Sequence, residues 1–289
     1  MAFSTPVSLA ADLSAVEWLM REMVGCNEMD ITGRAADHHL ASGGSRTRAV
    51  IALQFSRALG LDHTTGMALA AASELIHNAS LIHDDIQDHS LTRRGREALW
   101  VRFGSDIALS VGDLFVSAAW AALGKAELPS DRQNAVFEGF HHAVRSCIRG
   151  QNDELALRAQ PITIAHYEQI VAAKSGALLG LPANLALLAA RSERWCGAVA
   201  QAARRFSTAY QVFDDLGDVE SDRRRANGQC CLNIVLLLAD QGVDMPRSVA
   251  ARLARLRLDE ASDSLEALPA EIRSAFMGLI EQLRARLPA

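Results

Sequence analysis

Residues 75–95 read LIHNASLIHDDIQDHSLTRRG. From Met67 to Ile82 the apolar residues recur every three or four positions, which predicts an amphipathic helix. That helix runs straight into Asp84, Asp85 and Asp88. A residue four places on lies only ~40° further round a helix. Asp84 and Asp88 therefore share a face, where two carboxylates repel by a few tenths of a kcal/mol, about 0.2–0.5. An apolar helix ending in such a cluster calls for a cation. Magnesium fits the type of ligand: it takes one or two carboxylates, keeps several waters and completes its shell with phosphate oxygens.

The pattern occurs twice. Residues 211–218 read QVFDDLGD, with Asp214, Asp215 and Asp218 at the same spacing. One such cluster reads equally well as a solvated helix end. Two, both on apolar helices, read as paired metal sites that grip a diphosphate between them. Arginines strengthen this reading. Arg93 and Arg94 follow the first cluster and precede Gly95, and Gly43, Gly44, Ser45, Arg46, Thr47 and Arg48 form a second glycine–arginine stretch upstream. Arginine offers the planar, two-pronged donor set that suits phosphate, and glycine lets the backbone come close to a ligand.

Outward from these motifs the pattern stays helical. Residues 49–59, 106–122, 135–149, 164–173 and 199–213 keep the same period, with breaks at Gly60, Gly95, Pro129 and Pro161. β-branched alternation is scarce and aromatics are only 5%. No low-complexity linker or fixed repeat divides the chain, so the expectation is a single all-α domain over residues 1–289. Hydrophobic residues at 49% and a net charge of -5 exclude a disordered chain and argue against a nucleic-acid partner.

Five scattered cysteines, without metal-type spacing, fit a reduced cytoplasmic setting. The start shows no signal-peptide pattern. The longest apolar stretch, residues 175–190, follows Lys174 and contains Pro182. It falls short of the ~20 residues of a membrane span and is expected to be a buried helix, without stable membrane insertion.

These motifs resemble the trans-isoprenyl diphosphate synthases, the polyprenyl synthetase family, over roughly residues 43–222. Further matching pairs are Gly112-Asp113, Gly150-Gln151 and Lys174-Ser175. The resemblance implies an isoprenoid-synthase-type helical bundle around a central cavity, usually as a homodimer. It implies a prenyltransferase that joins isopentenyl diphosphate to an allylic prenyl diphosphate by ionisation, condensation and elimination. Asp84, Asp85, Asp88, Asp214, Asp215 and Asp218 would hold magnesium, about three ions per active site. Arg93 and Lys174 would contact the allylic diphosphate, with Ser175 beside them and Gln211 near the metal. Arg48, His77 and Arg94 would hold isopentenyl diphosphate, alongside Gly44 and Arg46 of the glycine-rich loop. Ala79 and Ser80, both small, would leave the cavity deep before the first motif, so the product is expected to be geranylgeranyl or farnesyl diphosphate.

Two positions depart from the family pattern. Ser45 stands where a lysine of the glycine-rich loop grips isopentenyl diphosphate, and Gln229 aligns with a second diphosphate-binding lysine. Losing a charge-assisted contact costs ~1.5–3 kcal/mol. Arg46 and Arg224 are candidates to replace the charge. The alternative is a terpene-synthase-like enzyme that ionises a prenyl diphosphate without isopentenyl diphosphate. The intact Arg48, His77 and Arg94 favour elongation.

Other polar residues have plainer readings. His38, His39, His141 and His142 are expected on solvated helix faces. His83 is expected either to pack or to orient a carboxylate. Glu154 is expected to be a structural acid and Trp100 a core residue. Cys230-Cys231 has no functional account.

Overall fold

The computed structural model describes residues 7–157, 162–226 and 232–288. Its helices are α1 (Val7–Met23), α2 (Ile31–Leu40), α3 (Thr47–Ala58), α4 (His63–Gln87), α5 (Leu99–Phe103), α6 (Ser105–Leu123) and α7 (Ser130–Leu157), followed by α8 (Ile164–Val171), α9 (Ala177–Ala189), α10 (Cys196–Ala226), α11 (Ile234–Asp240), α12 (Pro246–Ser264) and α13 (Ala270–Arg286). A π-helical turn, Ala172–Gly176, joins α8 to α9. Two short antiparallel strands, β1 (Thr92–Arg93) and β2 (Arg96–Glu97), are the sheet structure among the described residues. The fold class is therefore all-α, and each helix expected from the sequence periodicity falls on an observed one, with 49–59 ending one residue past α3 and 164–173 running two residues past α8 into the π turn.

By its contacts the chain forms two compact units, residues 1–137 and 138–289, with the division inside α7. In the first unit α4 is the central helix and packs against α1, α3 and α6. Its upstream half is buried on nearly every face, and Ala68, Ala70, Ala71 and Ala72 are all fully buried. Small side chains there let neighbouring helices approach closely. The Asp62 side chain caps α4 by accepting from the Thr65 N–H at 2.7 Å.

In the second unit α10 is central, packed on α9, α12 and the π turn. Glycines set this approach: a Cβ at Gly180 would lie 2.9 Å from that of Ala203, and one at Gly176 would lie 3.1 Å from the Arg204 Cα. Helical structure continues from Ile164 to Ala189, straight past Lys174 and Pro182. The sequence reading broke this run too early. Proline removes one intrahelical hydrogen bond, but Leu178, Leu181, Leu185 and Ala186 bury the helix around it. Ser105–Leu123 and Ile164–Ala189 are each long and apolar enough to cross a membrane by length and composition, although 67% of the second helix's apolar window is buried inside the fold.

Candidate functional site

The first aspartate cluster ends α4. Asp85 is only 1% exposed, and Arg93 of β1 reaches back to it. Arg93 Nε donates to both Asp85 oxygens at 3.1 and 3.2 Å, and Nη2 donates to Oδ1 as well. Burial raises the Asp85 pKa, opposed by the Arg93 bonds. The half-buried Asp84 and Asp88 stand one turn apart, with Asp88 as the C-cap of α4. Arg93 pairs with Arg96 across the hairpin, so Arg94 and Gly95 form its two-residue turn, at φ +53° and +78°. Positive φ at both positions is what a twisted two-residue hairpin demands. The turn thereby presents Arg94 to the loop before α3.

That loop is shaped by positive φ as well: Gly43 at +76°, Gly44 at +142° and Arg46 at +51°. A Cβ at Gly44 would lie 2.7 Å from the Arg94 guanidinium carbon. Arg94 Nη1 donates to the Gly43 carbonyl, and Arg96 Nη1 to the Ala41 carbonyl at 2.8 Å. Positive charge accumulates here. The His77 pKa is driven well below its usual value, first by burial, then by the charges of Arg48, Arg94 and Arg93. Burial and the Arg46 charge also lower that of Arg94. Arg48, Arg93 and Arg94 thus crowd positive charge around a neutral His77, a charge that an anion would relieve.

Arg46 is differently employed. It is buried, and its Nε donates to Glu17 Oε1 of α1 at 2.8 Å. It is thus not a spare charge to replace the lysine absent at position 45. Ser45 is exposed, and its hydroxyl shares a 2.8 Å hydrogen bond with that of Thr47.

Behind the cluster lies a layer that the sequence did not announce. His39, expected on a solvated face, is buried; Nε2 pairs with Asn78 Oδ1 at 3.1 Å and the ring meets Phe115 edge-on. Burial pushes its pKa down to about 3. Asn78 Nδ2 donates to the Glu74 carbonyl at 2.7 Å, and Glu74 Oε1 accepts from the Ala49 N–H at 3.1 Å at the start of α3. His38 is half-buried, with Nε2 2.9 Å from the Glu97 carbonyl.

The second cluster lies within α10. Asp215 is buried, and both its oxygens are occupied. Oδ2 accepts from the Tyr167 hydroxyl and the Ile234 N–H, each at 2.8 Å, and Oδ1 accepts from Gln211 Nε2 at 2.9 Å. Burial nonetheless raises its pKa to about 7, against those donors. Asn233, fully buried, donates to the Asp215 carbonyl at 3.0 Å and to Asp222 Oδ2 at 2.9 Å, while its Oδ1 caps α11. Asp214 is half-buried and Asp218 exposed. Burial and the neighbouring Asp218 raise the Asp214 pKa to about 6, opposed by Arg286, whose guanidinium lies 4.3 Å from the Phe213 ring centroid.

Lys174 and Ser175 lie in the π turn, a local widening often found at functional sites. Lys174 Nζ donates to Glu154 Oε2 at 3.0 Å, so Glu154 is the structural acid expected. Gly150 is required here, since a Cβ would lie 2.6 Å from the Lys174 nitrogen. Ser146 Oγ donates to the Ala173 carbonyl at 3.3 Å, within the π turn.

The remaining expectations separate. Ser80, half-buried, shares the Asp84 face, with its hydroxyl on the His77 carbonyl at 2.8 Å. Ala79 is ~140° from Asp84 round the helix and is 1% exposed, so it belongs to the interior. His83 packs over Gly112, where no Cβ would fit, with Nε2 3.6 Å from Asp113 Oδ1. His141 and His142 are exposed as expected. Trp100 is half-buried rather than core and donates to the Ser90 carbonyl at 2.8 Å. Arg224 is exposed and donates to the Glu220 carbonyl at 3.1 Å. Gln229, Cys230 and Cys231 lie outside the described residues.

The solved structure of a geranylgeranyl pyrophosphate synthetase from Geoglobus acetivorans matches with a TM-score of 0.82 at 21% identity, covering 96% of this chain and 99% of that one. A polyprenyl synthase from Caulobacter crescentus, complexed with calcium and isoprenyl diphosphate, matches with a TM-score of 0.81 at 22% identity, over 96% of each chain. In sequence, a short chain isoprenyl diphosphate synthase from Methanothermobacter thermautotrophicus is 32% identical over 65% of this chain and 58% of its own length. A geranylgeranyl pyrophosphate synthase from Geoglobus acetivorans is 30% identical over 64% and 59%. The matches thus span just under three fifths of these curated relatives. The polyprenyl synthetase family model matches residues 29–234, both aspartate clusters and the arginine loops included. The chain belongs to the polyprenyl synthetase family.

Proposed function

We propose that this chain is a magnesium-dependent trans-prenyltransferase that condenses isopentenyl diphosphate with an allylic prenyl diphosphate. The observation that carries this reading is the repeated geometry of the two aspartate clusters. Asp84 with Asp88, and Asp214 with Asp218, each place two carboxylates one turn apart on the less buried side of a helix, next to an Asp85 and an Asp215 that protein donors hold in place. Among the described residues no three carboxylate, histidine or cysteine groups form a closed metal cage. Two-carboxylate sites suit magnesium, which keeps waters and shares phosphate oxygens. Asp84, Asp88, Asp214 and Asp218 are therefore the proposed ligands, for about three ions.

Bound magnesium would neutralise the departing diphosphate as the allylic carbon–oxygen bond ionises. The family resemblance gives both Arg93 and Lys174 a contact with the allylic diphosphate; within its own unit, Asp85 holds Arg93 and Glu154 holds Lys174 in place beforehand. Arg48, Arg94 and His77 hold isopentenyl diphosphate. Its double bond attacks the allylic carbon, and the proton lost afterwards passes to the released diphosphate. No side chain is required as a base.

The positive charge of Arg48 and Arg94 around His77 favours elongation over the terpene-synthase-like alternative, even without a lysine at position 45. Small Ser80 on the Asp84 face supports a geranylgeranyl or farnesyl product. We further propose a cytoplasmic homodimer. Free Cys26, Cys147 and Cys196 support the compartment, and the homodimer rests on the family. The test is a product assay with magnesium and allylic diphosphates of increasing length, with and without isopentenyl diphosphate. Longer prenyl diphosphates that need isopentenyl diphosphate establish the reading. Hydrocarbon or alcohol formed without it overturns elongation.

A further inference from the structure

Tyr167 is fully buried, yet it carries a hydroxyl. Its partner is Asp215 Oδ2 on α10, 2.8 Å away and 48 residues on in the chain. Burying a hydroxyl beside a carboxylate costs free energy unless both are satisfied. An apolar residue would fill the same space without that cost. The contact therefore has a use beyond packing.

Its use follows from what each end carries. Tyr167 lies on α8, seven residues before Lys174, and the π turn underwinds the helix between them. Lys174 therefore leaves the line of Tyr167 and pairs with Glu154 of α7. Asp215 sits between Asp214 and the rest of its cluster. Ile234 and Gln211 hold the same carboxylate, and Asn233 holds the Asp215 carbonyl and Asp222. The Tyr167 hydroxyl is the link in this set that comes from the Lys174-bearing helix.

We propose that Tyr167 is a positioning residue: its hydroxyl fixes Asp215 and so registers the Asp214–Asp218 carboxylates against Lys174. This rests on the functional reading above for the identity of the ligands. It adds a residue that touches neither substrate nor metal. Removing a partner bonded directly to a metal ligand typically changes metal affinity or activity by about 10–100-fold; Tyr167 acts one bond further out, through Asp215, so the lower end of that range is expected.

The test is Tyr167→Phe, which keeps the ring and deletes one hydroxyl. Manganese binding in the presence of inorganic pyrophosphate is followed by electron paramagnetic resonance, beside melting temperature and steady-state kinetics. The expected result is an affinity for manganese about tenfold weaker and a kcat about tenfold or more lower, with the KM for isopentenyl diphosphate unchanged. The effect runs through Asp215, so in an Asp215→Ala background Tyr167→Phe should change manganese binding little further. Unchanged manganese affinity in Tyr167→Phe, or full additivity with Asp215→Ala, overturns the proposal. Manganese binding needs no turnover, so the two readings fail separately. A wild-type protein that binds manganese and forms no prenyl product defeats the functional reading alone. A productive enzyme whose Tyr167→Phe variant binds manganese normally defeats this inference alone.

Discussion

Gly44 and Arg94 are packed so closely that a Cβ on residue 44 would lie 2.7 Å from the Arg94 guanidinium carbon. Gly44 also holds φ at +142°, which side-chain-bearing residues rarely adopt. Gly44→Ala should therefore displace Arg94 from the Gly43 carbonyl and disperse the Arg48–His77–Arg94 cluster. The KM for isopentenyl diphosphate is expected to rise about tenfold or more, equivalent to losing one charge-assisted contact. The allylic KM should change little. Steady-state kinetics with each substrate varied in turn reads the difference, and equal rises in both constants would refute the assignment of Gly44 to one side.

The pH dependence of stability has two opposed arms. Asp214 and Asp215 have native pKa values of about 6 and about 7, above the ~3.9 of an unfolded aspartate. Between those limits the native state binds more protons, so stability falls as pH rises through the window and is regained as pH drops. His39 is held down to about 3, and His77 well below its usual value. There the unfolded state binds more protons, so stability is lost as pH falls below ~6.5. Below pH 6 the two contributions largely offset each other, whereas above it the Asp215 contribution is lost, so the metal-free protein should melt higher at pH 6 than at pH 8. Asp214→Asn removes one of the groups that offset the histidines on acidification, so it should steepen the loss of stability below pH 6. Magnesium with pyrophosphate should raise the melting temperature more at pH 8 than at pH 5, since it binds the ionised carboxylates. Calorimetry from pH 5 to 8 decides; a metal-free optimum at pH 8 contradicts the assignment.

What could be read from the sequence was what repeats locally. Asp84 with Asp88, Asp214 with Asp218, and the Arg93-Arg94-Gly95 turn all advertise themselves within a few residues, because helical and hairpin spacing fix which side chains meet. The supports did not show. Tyr167 reaches Asp215 across 48 residues, His39 reaches Asn78 across 39, and Arg46 reaches Glu17 across 29. No periodicity links such pairs; only packing of helices brings them together. His39 looked solvated because its neighbour His38 and the polar residues around it dominate the pattern. Pro182 looked like a break because propensity ignores how much apolar surface its helix buries.

Ser45→Lys would restore the absent charge. Arg46 is committed to Glu17, so position 45 has no substitute in its own loop. The serine is exposed and gives up only its bond to Thr47, so the fold should tolerate lysine. The expected result is a KM for isopentenyl diphosphate lower by about tenfold, with the melting temperature unchanged. A KM that stays constant would show that Arg48, His77 and Arg94 already saturate the diphosphate.

Product length should depend on Ser80 more than on Ala79. Ser80 lies one turn before Asp84 on the same half-buried face, whereas Ala79 is interior. A phenyl ring at Ser80 would extend along the face from which the growing tail leaves the metal-bound diphosphate. Ser80→Phe should therefore shorten the product, raising the share of shorter prenyl diphosphates while retaining the melting temperature within a few degrees. Ala79→Phe forces a ring into packed interior, where overpacking costs about 1–3 kcal/mol; its principal effect should be a lower melting temperature. Mass analysis of the products beside thermal melts separates the two. A shortened product from Ala79→Phe at full stability, with no change from Ser80→Phe, would move the growing chain to the other side of α4.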